Sequence, residues 1–313
     1  MVSAMPENPR VAKPACRVMS RLRHAGTAAL ILAILLLCAG RQPARSTEPA
    51  PRAAKPASCQ RSAFRAVVDV GHTVEVPGAL SARGVPEYAF NLQLADAVKQ
   101  ALVDAGFDKT VRLVTATAPW IGLVERAASA NAMHADLFIS IHHDSVPDYL
   151  LETWEYQGQE NHFSDRFKGY AIFISNDNAD RKGSLEFGRF LGKELQARSL
   201  PYTPHYTLPL MGKYRRELID ADAGVYRYDQ LIVLRETRMP AVLLEAGSIV
   251  NRQEELELAS PERRSLVSAA VAAAVEDFCA ARSRPTSDRH IKRPPSPNAA
   301  VQSGRANPAT FAR

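Results

Sequence analysis

The chain has 313 residues, of which 46% are hydrophobic and 23% charged, enough to bury one good-sized core. Its net charge of +6 belongs to its ends: residues 1–52 carry eight Lys/Arg against two acids and residues 283–313 six against one, leaving 25 Lys/Arg and 30 acids between them, a net −5. A basic footprint confined to the ends excludes a nucleic-acid-binding face on the folded part.

Residues 1–24 are polar and basic, with Arg17, Arg21 and Arg23 leading into an almost wholly apolar run at 25–40. That is the layout of an export signal, and the run falls short of the roughly 20 residues needed to span a bilayer. Residues 1–40 are therefore expected to be a signal peptide or, if uncleaved, a membrane anchor, which makes the protein exported, periplasmic or envelope-associated. Cys38 follows Leu37, where a lipid-modification signal wants a small residue. Residues 41–60 read as a Pro/Ala linker, 61–282 as the folded domain and 283–313 as a disordered basic tail.

Within the domain, Phe64–Val70 reads as a buried strand stopped by Gly71. A loop at 72–86 precedes a helix at 87–105, with Phe90, Leu94, Val98 and Leu102 at helical spacing and Gly106 closing it. A strand at 111–115, a helix at 121–133 and a strand at 136–142 follow. Next come a strand at 170–175, a helix at 184–198, a strand at 241–245 and a helix from Pro261 to about Ala281, capped by Ser260. Alternating apolar strands and helices predict a single α/β domain, a mostly parallel twisted sheet with helices on both faces.

Cys16 and Cys38 fall in or before the signal segment, which leaves Cys59 and Cys279. They sit just before the first strand and near the end of the last helix. In an exported protein they suit a disulfide joining the two ends of the domain; two unpaired buried thiols are the alternative.

Three short stretches hold the residues of a hydrolytic metal site: Asp69–His72, Pro86-Glu87 and Ser140–Asp144. A fourth, Val242–Gly247, ends an apolar run in Glu245. Two imidazoles and one carboxylate leave a fourth zinc position open for water, and an extra glutamate nearby suits a proton acceptor. Ligands of such sheets bind beyond the carboxyl ends of strands, where His72, His142 and Glu245 stand. Glu87 begins a helix, where the macrodipole favours a carboxylate.

Of the neighbours His142 and His143, only one can point at a common centre from an extended strand; the other either contacts substrate or is a surface residue. Asp69 either holds the second nitrogen of His72 or stabilises the turn. His134, His162 and His205 have no partner spacing that suggests ligation. No Gly-x-Ser-x-Gly nucleophile elbow and no phosphate-binding glycine loop occur.

At these residues the sequence resembles the zinc-dependent N-acetylmuramoyl-L-alanine amidases of the type 3 family, bacterial cell-wall enzymes. The resemblance spans roughly residues 64–280. It rests on Val-Val-Asp-Val-Gly-His72, on the run ending Gly-Val-Pro-Glu87 with Asn91-Leu92, on Ala-Asp-Leu-Phe-Ile-Ser-Ile-His142, and on Met-Pro-Ala-Val-Leu-Leu-Glu245-Ala-Gly with Asn251. It implies one zinc ion on His72, Glu87 and His142, selecting His142 over His143, with Glu245 as catalytic residue. Thr73 departs from the glycine usual after the first histidine.

The activity implied is cleavage of the amide between N-acetylmuramic acid and L-alanine of the stem peptide, with peptidoglycan as partner. Arg216, Arg227 and Arg235 are candidates for orienting stem-peptide carboxylates. A zinc peptidase or carboxypeptidase acting within the stem peptide and a non-catalytic wall-binding module are the rival readings. The connection between residues 175 and 184 is too short for the inserted helix that blocks the zinc in some relatives. Residues 148–169 are long and aromatic, and either line the substrate groove or elaborate the surface. A monomer is expected, with membrane contact only through an uncleaved N-terminal segment.

Overall fold

Strand β1 (Ala66–Val70) is buried at all five positions, which an apolar run between polar flanks requires. It opens the domain in the computed structural model, which describes residues 59–116 and 119–283. The signal or anchor segment, nearly all of the linker and the tail lie outside the described residues.

After β1 come α1 (Glu87–Asp104), β2 (Val111–Leu113), α2 (Pro119–Ala132), β3 (Leu137–Asp144) and a hairpin, β4 (Glu152–Tyr156) with β5 (Gln159–Phe163). Then follow β6 (Ala171–Ile174), α3 (Arg181–Ala197), β7 (Glu217–Asp220), β8 (Val225–Arg227) and α4 (Ile232–Arg235). The domain ends with β9 (Ala241–Ser248), α5 (Arg252–Leu258) and α6 (Pro261–Arg282). Seven strands make one sheet in the order β2-β1-β3-β9-β6-β8-β7. The pairs β1–β2, β1–β3, β3–β9 and β6–β8 are parallel, and β6–β9 and β7–β8 antiparallel. The mostly parallel α/β sheet expected from the sequence is the one observed.

Alternation along the strands divides the core in two. Val68, Val70, Ile139, Ile141, Val242 and Leu244 pack under α1, α3 and α6. On the other face Val67, Phe138, Phe173 and Leu243 pack with α2 and α4 residues such as Ala130, Val233 and Leu234. Alanines at 270 and 274 keep the buried stripe of α6 narrow enough for α1 and α3 to approach it. Gly192 lets α3 lie on the sheet: an added Cβ would stand 2.1 Å from the Ala223 carbonyl oxygen.

Several elements differ from the sequence reading. Helix α3 starts three residues early, because the Asp180 carboxylate accepts from the Gly183 amide at 2.9 Å and caps it. The β4–β5 hairpin, the short strands β7 and β8, and α4 and α5 carry no strong periodicity. Their outward positions are exposed and polar, as at Glu155 and Glu160. Residues 175–180 join β6 to α3 directly.

Cys59 and Cys279, 220 positions apart in sequence, form a disulfide with Cα atoms 5.1 Å apart. Beside it, Arg61 pairs with Glu276, and Phe64 meets Phe278 edge-on at 6.5 Å. Closing so long a loop restricts the unfolded chain strongly, so Cys279→Ser is expected to lower the unfolding free energy by about 2–5 kcal/mol in denaturant titration. Material prepared without reductant should show no titratable thiol at either position; an unfolding midpoint unmoved by the substitution would contradict this.

Candidate metal centre

The centre of the sheet sets β1, β3 and β9 side by side, and the site is built on their carboxyl-terminal halves: His72 lies two residues past β1, while His142 and Glu245 lie within β3 and β9. β1 ends at Val70 beside β3, where the Gly71 amide donates to the Ile141 carbonyl at 3.0 Å. Gly71 is needed there because an added Cβ would stand 2.4 Å from the His142 ring. The chain then turns, and His72 takes the left-handed conformation at φ 66°. The loop that follows passes Gly78, also left-handed at φ 81°, where a Cβ would lie 2.5 Å from Glu87 Oε2 and 2.7 Å from the His72 ring. This close passage of backbone over both side chains admits only glycine.

Glu87, the first residue of α1, is only 5% exposed. Its Oε2 lies 2.9 Å from His72 Nε2 and its Oε1 3.0 Å from His142 Nδ1. The Ala79 amide donates to Oε2 at 3.3 Å; the Asn91 side-chain amide and the His143 backbone amide donate to Oε1 at 3.1 and 3.3 Å. Burial pushes this carboxyl up in pKa, but the hydrogen bonds from His142 and His72 outweigh it and hold Glu87 well below the usual range. One ligand atom each from His72, Glu87 and His142 lies within 4.8 Å of the other two, a group fit for a metal ion. The donor chemistry, two imidazole nitrogens and an ionised carboxylate oxygen, suits zinc.

Glu245 on β9 is paired in register with His142 on β3, so adjacent strands carry them side by side. Its Oε2 is enclosed and has no hydrogen-bond partner among the described residues. Burial, then the charges of Asp144 and Glu87, raise its pKa well above that of an ordinary carboxyl. Glu87 and Glu245 therefore have opposite tendencies. Glu245 stands beside His142 in the sheet and within reach of the Glu87 charge.

His143 is neither a surface residue nor a substrate contact: it is 3% exposed. Its ring lies 5.6 Å from Phe90, and its Nδ1 is 2.8 Å from Asn91 Oδ1. Because Asn91 Nδ2 donates to Glu87 and to the Gly71 carbonyl, its Oδ1 accepts, which puts the His143 proton on Nδ1. Burial lowers the His143 pKa to about 3, keeping it neutral. Asp69 does not reach the His72 ring either. It accepts from Arg126 at 3.1 Å and from the Ser140 hydroxyl at 2.7 Å.

Residues given no role from sequence complete the surroundings. Asp144, past a bulge in β3, accepts from the Tyr206 hydroxyl at 2.6 Å and lies 3.5 Å from His205 Nε2. Burial carries Asp144 up to about 7, against hydrogen bonds from Tyr206 and the Ser145 amide, and carries His205 down to about 4. A cavity of about 380 Å³ opens beside His72 and His142, walled by Val76, Leu123, Leu231 and Val233. The β4–β5 hairpin buttresses the loop that leads to Glu87: Trp154 Nε1 donates to the Ala82 carbonyl at 2.7 Å, and Asn161 lies over Gly84.

Gly78→Ala is expected to weaken zinc binding by about tenfold or more, since even one strained backbone position costs that much. A chelator-competition titration measures it; unchanged affinity in a folded variant removes the loop from the site.

The sequence profile of the family described as N-acetylmuramoyl-L-alanine amidase matches residues 66–277. N-acetylmuramoyl-L-alanine amidase AmiC of Neisseria meningitidis is 27% identical over 227 residues, which cover 68% of this chain and 52% of that protein. The chain thus spans about half the length of that relative. The Bacillus subtilis protein YqiI is 25% identical over 67% of this chain and 82% of its own length. Among solved structures, the amidase Ami1 of Mycobacterium smegmatis superposes with a TM-score of 0.54 at 20% identity, covering 70% of this chain and 97% of its own. The catalytic domain of CwlV from Paenibacillus polymyxa gives 0.50 at 24% identity, covering 69% and 97%; at these identities both likenesses concern the fold. With the profile spanning the whole sheet and every strand end described above, the chain belongs to the N-acetylmuramoyl-L-alanine amidase family.

Proposed function

We propose that this protein is a zinc-dependent peptidoglycan hydrolase that cleaves the amide between N-acetylmuramic acid and L-alanine of the stem peptide. The observation that carries the reading is the convergence of His72, Glu87 and His142 from three separate elements, with Glu245 in register beside His142. His72, Glu87 and His142 would hold the zinc, which when bound would supply Lewis-acid polarisation of an amide carbonyl and a water of lowered pKa. Glu245 would take up a proton beside that centre and return it to the departing amine. Its position suits that work, because Oε2 is buried and accepts from no other described group. Glu87, whose two oxygens face the ring nitrogens of His72 and His142, would serve as ligand and not as base.

Arg216 is the best placed of the three arginine candidates for a stem-peptide carboxylate. Arg227 is paired with Glu217 and Asp229, and Arg235 with Glu236. The Arg216 guanidinium instead stacks 3.7 Å over Tyr228 and donates to the carbonyls of Lys213 and Arg215. Its charge lies close enough to bear on the Tyr206 hydroxyl, and so on the Asp144 side of the site. The disulfide and the family's cell-wall role support an exported location. Among the described residues no helix is long and apolar enough to cross a membrane.

Glu245→Gln should keep zinc yet lose hydrolysis of purified muropeptides by about 10²–10⁴-fold, the usual weight of a proton-transferring residue. His72→Ala should lose the metal itself. Mass spectrometry of digested cell wall distinguishes the readings: free stem peptides with bare glycan chains support the amidase. Trimmed peptides point to a peptidase, and no products to a binding module. Near-full activity in Glu245→Gln removes that residue from the mechanism.

A further inference from the structure

His72 meets Glu87 only because its backbone turns left-handed at φ 66°, a conformation that a residue with a Cβ disfavours. Something outside the turn has to hold it. Gly71 does not do so, since it lies pressed against the His142 ring and its own flexibility opposes a fixed geometry. The backbone groups of Gly71 itself are held from β3 and α1, by the Ile141 carbonyl and the Asn91 side-chain amide, and the carbonyls on either side of it, those of Val70 and His72, are held from α2 through Arg126.

Arg126 is 3% exposed in the middle of that helix. One guanidinium nitrogen, Nη1, donates to the Val70 carbonyl and to Asp69, at 3.1 Å from Oδ1 and 3.3 Å from Oδ2. The other, Nη2, donates to the carbonyl of His72 itself. The guanidinium thus spans the turn, gripping the residue before Gly71 and the residue after it. Asp69 is fully buried and is fixed in turn by the Ser140 hydroxyl of β3 at 2.7 Å. β1, β3 and α2 therefore converge on one planar group. A lysine could neutralise Asp69, but a single ammonium cannot reproduce the rigid fork that holds two carbonyls and a carboxylate.

We propose that Arg126, fixed by Asp69 and Ser140, is a positioning residue that locks the Val70–His72 turn and so aims the His72 imidazole at the centre shared with Glu87 and His142. The inference rests on the metal reading of that centre. It separates from a purely structural role of the ion pair by what it predicts for the folded protein. A support for the fold changes stability alone, whereas a positioning residue changes the affinity of the folded site and the geometry of whatever it binds.

The test is zinc affinity of the full chain, by competition with a chromophoric chelator, at a temperature where circular dichroism shows each variant folded. Arg126→Lys is expected to bind zinc at least tenfold more weakly than the wild type. Its cobalt-substituted form should give an altered visible spectrum. Ser140→Ala, which removes only the hydroxyl that anchors Asp69, guards against a failure of Arg126→Lys to fold and should weaken binding severalfold. Wild-type affinity and spectrum in either folded variant overturn the proposal while leaving the metal centre intact. A wild-type chain that binds no zinc overturns both readings, so the two failures are distinguishable.

Discussion

A carboxylate taken almost wholly out of water, Glu87, is the constraint on which the rest of the site is built. An ionised carboxyl cannot be buried without charge or hydrogen-bond partners. Here the partners are supplied by everything around it: two imidazoles, the amides of Ala79 and His143, and the Asn91 side chain. Each of these comes from a segment held by something else. The amide of Ala79 requires the loop over Gly78, the ring of His72 requires the left-handed turn, and the amide of His143 lies where the pairing of β3 shifts register between His142 and Asp144. Moving any one leaves a buried charge short of a donor, which is why the arrangement tolerates glycine alone at 71 and 78.

The adjacent histidines illustrate the economy of this packing. Side chains alternate along β3, so the ring of His142 points to one face and that of His143 to the other. Both nevertheless serve the same carboxylate, one through its imidazole and one through its backbone amide. The His143 ring, neutral and buried against Phe90, then orients Asn91 by donating to its oxygen. Asn91 stands one helical turn beyond Glu87 and returns a hydrogen bond to it. What reads in the sequence as a His-His doublet is thus a residue whose ring faces Glu87 followed by one that supports Glu87 from behind.

This shows which parts of the molecule were legible beforehand. His72, His142 and Glu245 each follow a run of apolar, β-branched residues, so a local pattern marked the strands, although β1 stops two residues before His72 while β3 and β9 continue two and three residues beyond His142 and Glu245. Glu87 followed a proline at a helix start, again a local signal. Arg126 had none: an arginine in Leu-Val-Glu-Arg-Ala-Ala looks like the solvated side of a helix, and only the sheet beneath it reveals its burial. The same holds for His205, which becomes a neighbour of Asp144 through a chain reversal of some sixty residues that no short window contains. The β4–β5 hairpin escaped for a different reason. Its inner face is Trp154, Tyr156 and Phe163 capped by Arg83 and Arg252, and cation–aromatic contacts leave little hydrophobic alternation to detect.

Position in the sheet also explains how two glutamates of one site come to differ. Glu87 sits among donors and is held low; Glu245 is pushed high by burial and then by the charges of Asp144 and Glu87, with an oxygen that no described group donates to. Residue type is the same, and only the number of hydrogen-bond donors and the sign of nearby charge differ. Environments that drive like groups apart in this way are the physical basis on which one carboxylate can remain a ligand while its neighbour handles protons. In this fold the division follows from topology: Glu87 enters from a helix start, where amides converge. Glu245 enters from the central strand β9, whose own amides are spent on β3 and β6.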